Sequence, residues 1–166
     1  MRKYTDCPLI LRDFLTYHET IKGQSKLTIS EYYLDLRMFL RFIKLMRSDM
    51  PIHTRLDDID IMDVDLNFVA DITTSEIFDF LSYLANDRNS EPDAIVPDYG
   101  ISPSARARKL SAIKSFFKYL TVRTKQLTEN PVADLEYPKL RKSLPKYLTM
   151  EQCRALLSSV SGQNEK

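Results

Sequence analysis

The amino-acid sequence predicts an all-α fold, and three observations carry that prediction. Glycine occurs only 3 times in 166 residues, so the glycine-dependent turns of sandwiches and barrels have little to build on. Apolar side chains recur at i, i+3, i+4 and i+7 in successive stretches, the spacing of one helix face. Helix-start signals, a Ser, Thr or Asp ahead of the first apolar residue, stand before those stretches. With 43% hydrophobic and 28% charged residues, the chain can build a packed core and is not of disordered composition. Its length fits one ordinary domain plus a tail.

The first helix is expected from about Pro8 to Lys22, with Asp6 as cap, Pro8 in the first turn and Gly23 ending it in a left-handed conformation. Ile10, Phe14, Tyr17 and Ile21 are its expected apolar face. The second helix opens on Thr28-Ile-Ser-Glu31, a capping box in which hydroxyl and carboxylate each satisfy a free amide. Ile29, Tyr32, Tyr33, Leu36, Phe39, Leu40, Ile43 and Met46 then make a continuous stripe, and Arg37, Arg41 and Lys44 share a face away from it. Periodicity dissolves between Asp49 and Ile72, an acidic stretch expected to be a loop or insertion with one short extended piece. Asp63, Asp65 and Asn67 there invite a calcium-loop reading. It fails because Phe68 stands where the turn needs Gly and Thr74 where the loop needs a bidentate Glu.

A second capping box, Thr73-Thr-Ser-Glu76, starts the third helix, with Ile77, Phe80, Leu81 and Leu84 on one face. After a surface loop from Asn89 to Gly100, Ser102 caps the fourth helix and Pro103 takes its first position. Leu110, Ile113, Phe116, Phe117 and Leu120 form its buried stripe. Ser104, Arg108, Ser111, Ala112, Ser115 and Lys118 form the other face, which is small, polar and basic at once. Small side chains let a helix backbone approach a duplex closely, while Arg and Lys reach base edges or phosphates. The Glu–Lys pairs of an ordinary solvent face do not occur on it. From Tyr137 to Lys146 the chain is basic and twice broken by proline, a linker composition, and a last helix opens at Thr149.

A net charge of +1 hides a strong polarity. Asp57 to Asp98 holds twelve acids against one base, Arg88, whereas Ile101 to Lys146 holds eleven bases against three acids. Such segregation points the second half toward a polyanion. Two cysteines, Cys7 and Cys153, make neither a disulfide framework nor a zinc spacing. The N-terminus lacks an apolar signal core and no stretch approaches 18 apolar residues, so a reducing cytoplasm is the expected compartment and no membrane partner is expected. His18 and His53 have no neighbours at metal-ligand spacing, and the nucleotide and hydrolase motifs G-x-G-x-x-G, the P-loop and G-x-S-x-G are missing. The expectation is that the chain holds no catalytic residue, metal site, cofactor or small-molecule ligand of its own.

The run Ser25 to Phe42 resembles the opening helices of Xer-type tyrosine recombinases and phage integrases. So does Ser104-Ala-Arg-Ala-Arg-Lys-Leu-Ser-Ala-Ile-Lys-Ser-Phe-Phe-Lys-Tyr-Leu120, followed by Asn130-Pro131, and Tyr137 to Thr149 resembles the family's linker. This resemblance implies a four-helix core-binding (SAM-like) bundle over residues 1–136, an extended basic linker over 137–148, and over 149–166 the first, isolated helix of a truncated catalytic domain. It implies that double-stranded DNA is the partner, together with identical or related recombinase protomers in a synaptic tetramer once the protein is full length. It places Arg108, Ser111, Ser115 and Lys118, with neighbours Ser104 and Lys114, at the DNA; Arg37, Arg41 and Lys44 near phosphates; and Arg141, Lys142 and Lys146 along the backbone. The family's tyrosine nucleophile and its arginines and histidines have no counterpart in this chain. A non-enzymatic DNA-binding regulator or competitor, and a helical protein-interaction module, remain the alternatives.

Overall fold

In the computed structural model, which describes residues 4, 6–48, 54–86, 100–139 and 149–160, every regular element is helical. Four helices form a bundle: α1 (Leu9–Thr20), α2 (Lys26–Met46), α4 (Thr74–Asn86) and α5 (Pro103–Lys118). A short α3 (Leu66–Ala70) lies between α2 and α4, and α6 (Met150–Val160) follows the bundle. The 21-residue α2 is the central strut, packed against α1, α4, α5 and the 3₁₀ turn Leu56–Asp58.

The core is one cluster that joins all four helices. Phe14 lies edge-on to Phe116 and Tyr119, and Phe39 and Phe42 meet Phe80 across the α2–α4 contact. Phe14, Phe39, Phe80, Phe116 and Phe117 are completely buried. Aromatic pairs at such separations favour tilted and edge-to-face geometry and so fix mutual orientation as well as area. Past Lys118 the last turn of α5 widens into a π-helical segment, Tyr119–Arg123, which still buries Leu120.

Several starts form as the residues dictate. In α4, Glu76 N donates to Thr73 Oγ1 (3.3 Å) while Thr73 N donates to Glu76 Oε2 (2.8 Å), the reciprocal box read from the sequence. Ser102 Oγ accepts from Ala105 N at the head of α5, with Pro103 in the first turn. At Gly23, φ of +62° lets Gln24 N reach back to the His18 carbonyl and end α1. Gly100, φ +86°, sits so close to α4 that a Cβ would lie 2.0 Å from the Ala85 carbonyl oxygen. Only glycine lets the chain re-enter at that point.

Other starts differ. α2 begins at Lys26, because Ser25 accepts from Thr28 N (3.2 Å) and so caps it three residues early. Thr28 is therefore helical and Glu31 is released for another partner. Asp6 does not cap α1; it accepts from the Tyr33 hydroxyl and from Arg37 (3.0 Å). The buried face of α1 is Leu11, Phe14, Leu15 and His18, rotated by about one position from the expected stripe, and Ile21 is 72% exposed. Met46 is likewise exposed, and Ala112, expected on the outer face of α5, is fully buried.

The acidic stretch is the largest revision. Among its described residues, 54–72, it forms a 3₁₀ turn and the short α3, with no strand. Ile59, Ile61, Val64, Val69 and Ile72 are buried in the common core. The acidic stretch is thus a wall of the domain, its isoleucines and valines inward and its acids outward. Asp65 caps α3 by accepting from Phe68 N at 2.8 Å, and Asp63 pairs with Lys44, so both carboxylates of the rejected calcium-loop reading have other uses.

Candidate nucleic-acid interface

Helical periodicity places Ser104, Arg108, Ser111, Ser115 and Lys118 along one strip of α5, with Lys114 at its flank. Ser104, Arg108, Ser111 and Lys118 are exposed and Ser115 and Lys114 half-buried. The strip is bordered by two clefts that share Tyr32 and Ser111. One, of about 260 Å³, is lined by Leu27, Thr28, Glu31, Asp35 and Arg108 from the first half of α2 and from α5. The other, of about 400 Å³, lies among Lys114, Ser115, Lys118 and the segment around Asn130 and Ala133. Lys114 Nζ stands 5.2 Å from the Tyr137 ring centroid, a cation–π contact that draws the chain after Asn130 toward this side. Among the described residues Lys118 has no ion-pair partner.

Arg108 is differently placed. Its guanidinium donates to Glu31 and to Asp35 Oδ1 (3.1 Å), and Lys109 Nζ donates to Asp35 Oδ1 at 2.6 Å. Asp35 and Lys109 are 2% and 5% exposed, whereas Arg108 and Glu31 keep almost half of their side-chain surface. This cluster joins α2 to α5 directly beneath the strip. Neither Asp35 nor Lys109 stood out in the sequence, and Glu31 was read there only as half of a capping box. The available signal was Phe42, seven residues after Asp35 and buried on the same line of α2.

Arg37, Arg41 and Lys44 share a face as the spacing predicts, but that face is occupied. Arg37 pairs with Asp6; Arg41 pairs with Asp57 (3.2 Å) and donates to the Ile59 carbonyl; Lys44 pairs with Asp63 (2.5 Å) and donates to the Asp60 carbonyl. In this structure carboxylates and carbonyls of the same chain engage all three bases. Arg47, unremarked in the sequence, completes the ladder with a two-pronged grip on Glu76 (2.6 and 2.9 Å), bonds to the Phe68 and Asp71 carbonyls, and a stack on Phe68. Arg141, Lys142 and Lys146 lie outside the described residues.

His18 is buried beside Phe14, Tyr17 and Tyr32, with Nδ1 2.8 Å from Gln24 Oε1 and Nε2 3.4 Å from Ser115 Oγ. Burial lowers its pKa from 6.5, against a smaller opposing effect of the Gln24 bond. The Lys44 bond lowers that of Asp63, and the Arg47 bond that of Glu76. All three groups are held in the form that predominates above their unfolded pKa. Their contributions to stability are therefore full there and lost as pH falls through the folded pKa. Thermal midpoints are expected to decline as pH drops below about 6.5 through His18, and again below the ordinary carboxylate range. His18→Gln should remove the first decline alone, and a midpoint that is flat between about pH 7 and pH 5 in the parent protein would contradict this. At the other extreme, burial and the Asp6 bond push Tyr33 up to about 12, so on the alkaline side the Tyr33–Asp6–Arg37 tether holds until strong alkali.

No helix among the described residues is long and apolar enough to cross a membrane. The chain is 37% identical over 155 residues to the tyrosine recombinase XerC of Caldanaerobacter subterraneus subsp. tengcongensis, covering 93% of this chain and 41% of that protein. It is 32% identical over 148 residues to the tyrosine recombinase XerC of Myxococcus xanthus, covering 89% and 39%. To the tyrosine recombinase XerD of Halalkalibacterium halodurans it is 28% identical over 154 residues, covering 93% and 42%. The chain thus spans about two-fifths of the length of these relatives. No solved structure matches it significantly. Residues 10–127, well over half of the chain and the whole of the four-helix bundle between Ile10 and Leu127, match the phage integrase N-terminal SAM-like domain, and the chain belongs to that family.

Proposed function

We propose that this chain is the DNA-binding part of a longer tyrosine recombinase, and that it grips a duplex with the outer strip of α5 and the adjoining first half of α2. The observation that carries this reading is the α5 strip itself, where small hydroxyl side chains alternate with bases and no acid intrudes along the helix. A helix so surfaced suits close approach to a major groove, with lysines at its margins for phosphates. The names of the relatives and their length support the same reading, since a recombinase needs a further domain for its chemistry. In this proposal Lys114 and Lys118 neutralise phosphates, with Ser104, Ser111 and Ser115 against the groove wall. The bases Arg141, Lys142 and Lys146 of the 137–148 linker are assigned to the backbone on composition alone. The segment from Thr149 opens the next domain, and further protomers join through parts of the longer protein. Arg37, Arg41 and Lys44 are left out, because Asp6 engages the first and the acidic insertion the other two.

Binding to random-sequence duplexes across a salt series tests the proposal. Binding should be in the micromolar range at low salt. Lys114→Ala with Lys118→Ala should reduce the log–log salt slope by about two, roughly one per lost phosphate contact. Equal slopes, or no binding by the parent protein, would sink the reading and favour a protein-interaction module.

A further inference from the structure

The Glu31–Arg108–Asp35–Lys109 cluster has no place in a simple phosphate grip. It contains two cations and two carboxylates, so its net charge is zero, and it has no counterion surplus to exchange for a phosphate. Glu31, nearly half exposed, would repel a phosphate placed there. Yet the exposed half of the cluster lines the cleft between α2 and α5, beside the strip assigned to the duplex. A neutral site that sets a strong acceptor next to a forked donor complements a neutral surface of the opposite pattern. Among the base pairs, C·G presents that pattern in the major groove: the cytosine N4 amino donor beside the guanine O6 and N7 acceptors.

We propose that Glu31 and Arg108 together read one C·G base pair, an inference that rests on the DNA-binding reading above. Glu31 accepts from cytosine N4 and Arg108 donates to guanine. In the free protein the two side chains satisfy each other. On the duplex, the Nη1 bond that Arg108 makes to Glu31 is exchanged for one to guanine, and the released carboxylate takes the cytosine amino group. Asp35, buried and bonded to both Arg108 and Lys109, stays in place as a positioning residue and keeps the guanidinium at the cleft. Neighbouring Leu27 and Thr28 supply only apolar and hydroxyl surface to the same cleft, so no other charge there competes for the base edge.

The test is selection by the whole chain from a pool of duplexes with a randomised central segment, with parent protein, Glu31→Gln and Arg108→Lys compared. The parent should enrich C·G at one position. Glu31→Gln should lower that preference about tenfold, the order one hydrogen bond to a charged acceptor supplies, while retaining enrichment elsewhere and an unchanged salt slope. Arg108→Lys, which keeps the charge and loses the fork, should lose the same position. If both variants keep the parent's profile, or the parent binds the pool but enriches no C·G position, the paired reader is wrong while the DNA-binding reading stands. A merely structural pair would lower the melting temperature of Glu31→Gln and leave the profile untouched, which also overturns the proposal. If the parent retains no duplex at low salt, the DNA-binding reading itself fails, and this inference with it.

Discussion

Replacing Asp35 with Ala is expected to destabilise the protein by about 3–5 kcal/mol, the usual result of removing one partner from a buried ion pair. Asp35 is 2% exposed and Lys109 5%, so the ammonium loses its 2.6 Å carboxylate in a place that water reaches poorly. Arg108 suffers less, since it keeps Glu31 and nearly half of its surface is solvated. The cost therefore falls on Lys109, and a compensating change can be designed from that. Asp35→Leu with Lys109→Met substitutes two apolar side chains of similar volume, and exchanges of that kind are often neutral or stabilising. Urea unfolding of the two single variants and the double variant would measure the coupling. If Asp35→Ala alone costs less than about 1 kcal/mol, the pair is not desolvated in the way the burial implies.

Phe14→Ala should cost a similar amount, about 3–5 kcal/mol, for a different reason. Phe14 is completely buried and its ring contacts His18, Tyr32, Phe116 and Tyr119, so it connects α1 to both α2 and α5. Truncation leaves a cavity at the meeting point of three helices, none of which can close in without breaking the other contacts. Phe14→Leu, which retains most of the volume, should cost well under half as much. Equal losses in the two variants would mean that ring orientation rather than filled space dominates.

Most of the bundle was legible from the chain. The Thr73–Glu76 box, the Ser102–Pro103 start, Gly23 and the apolar stripes of α2 and α5 are local signals, each resolved within one or two helical turns. What escaped has a single physical cause. A charged residue on a helix reads alike whether it faces water or a partner from another element, because the partner is chosen by tertiary register. Asp35, Lys109 and Arg47 were invisible for that reason, and Arg41 and Lys44 looked free when they were not. The acidic insertion misled in the same way: its isoleucines and valines are too irregularly spaced to announce a period, although the core buries them. At the candidate interface, the hydroxyl and lysine positions of α5 followed from periodicity alone. Glu31 could not, since its release from a capping role depends on Ser25 starting the helix three residues sooner.

The two margins of the buried stripe on α2 carry unlike neighbours, the aspartate-rich insertion on one side and the lysine strip of α5 beyond the other. A small protein built this way is an electric dipole even though its net charge is near zero. In the field of any polyanion it experiences a torque that turns the α5 side forward before contact, so a random collision is converted into an oriented one. Productive encounters then become a larger share of all encounters, and they do so most at low ionic strength, where the field extends furthest. In the DNA-binding reading proposed above, the insertion that clamps the outer face of α2 would also act at a distance, as the tail of a compass needle whose head is α5.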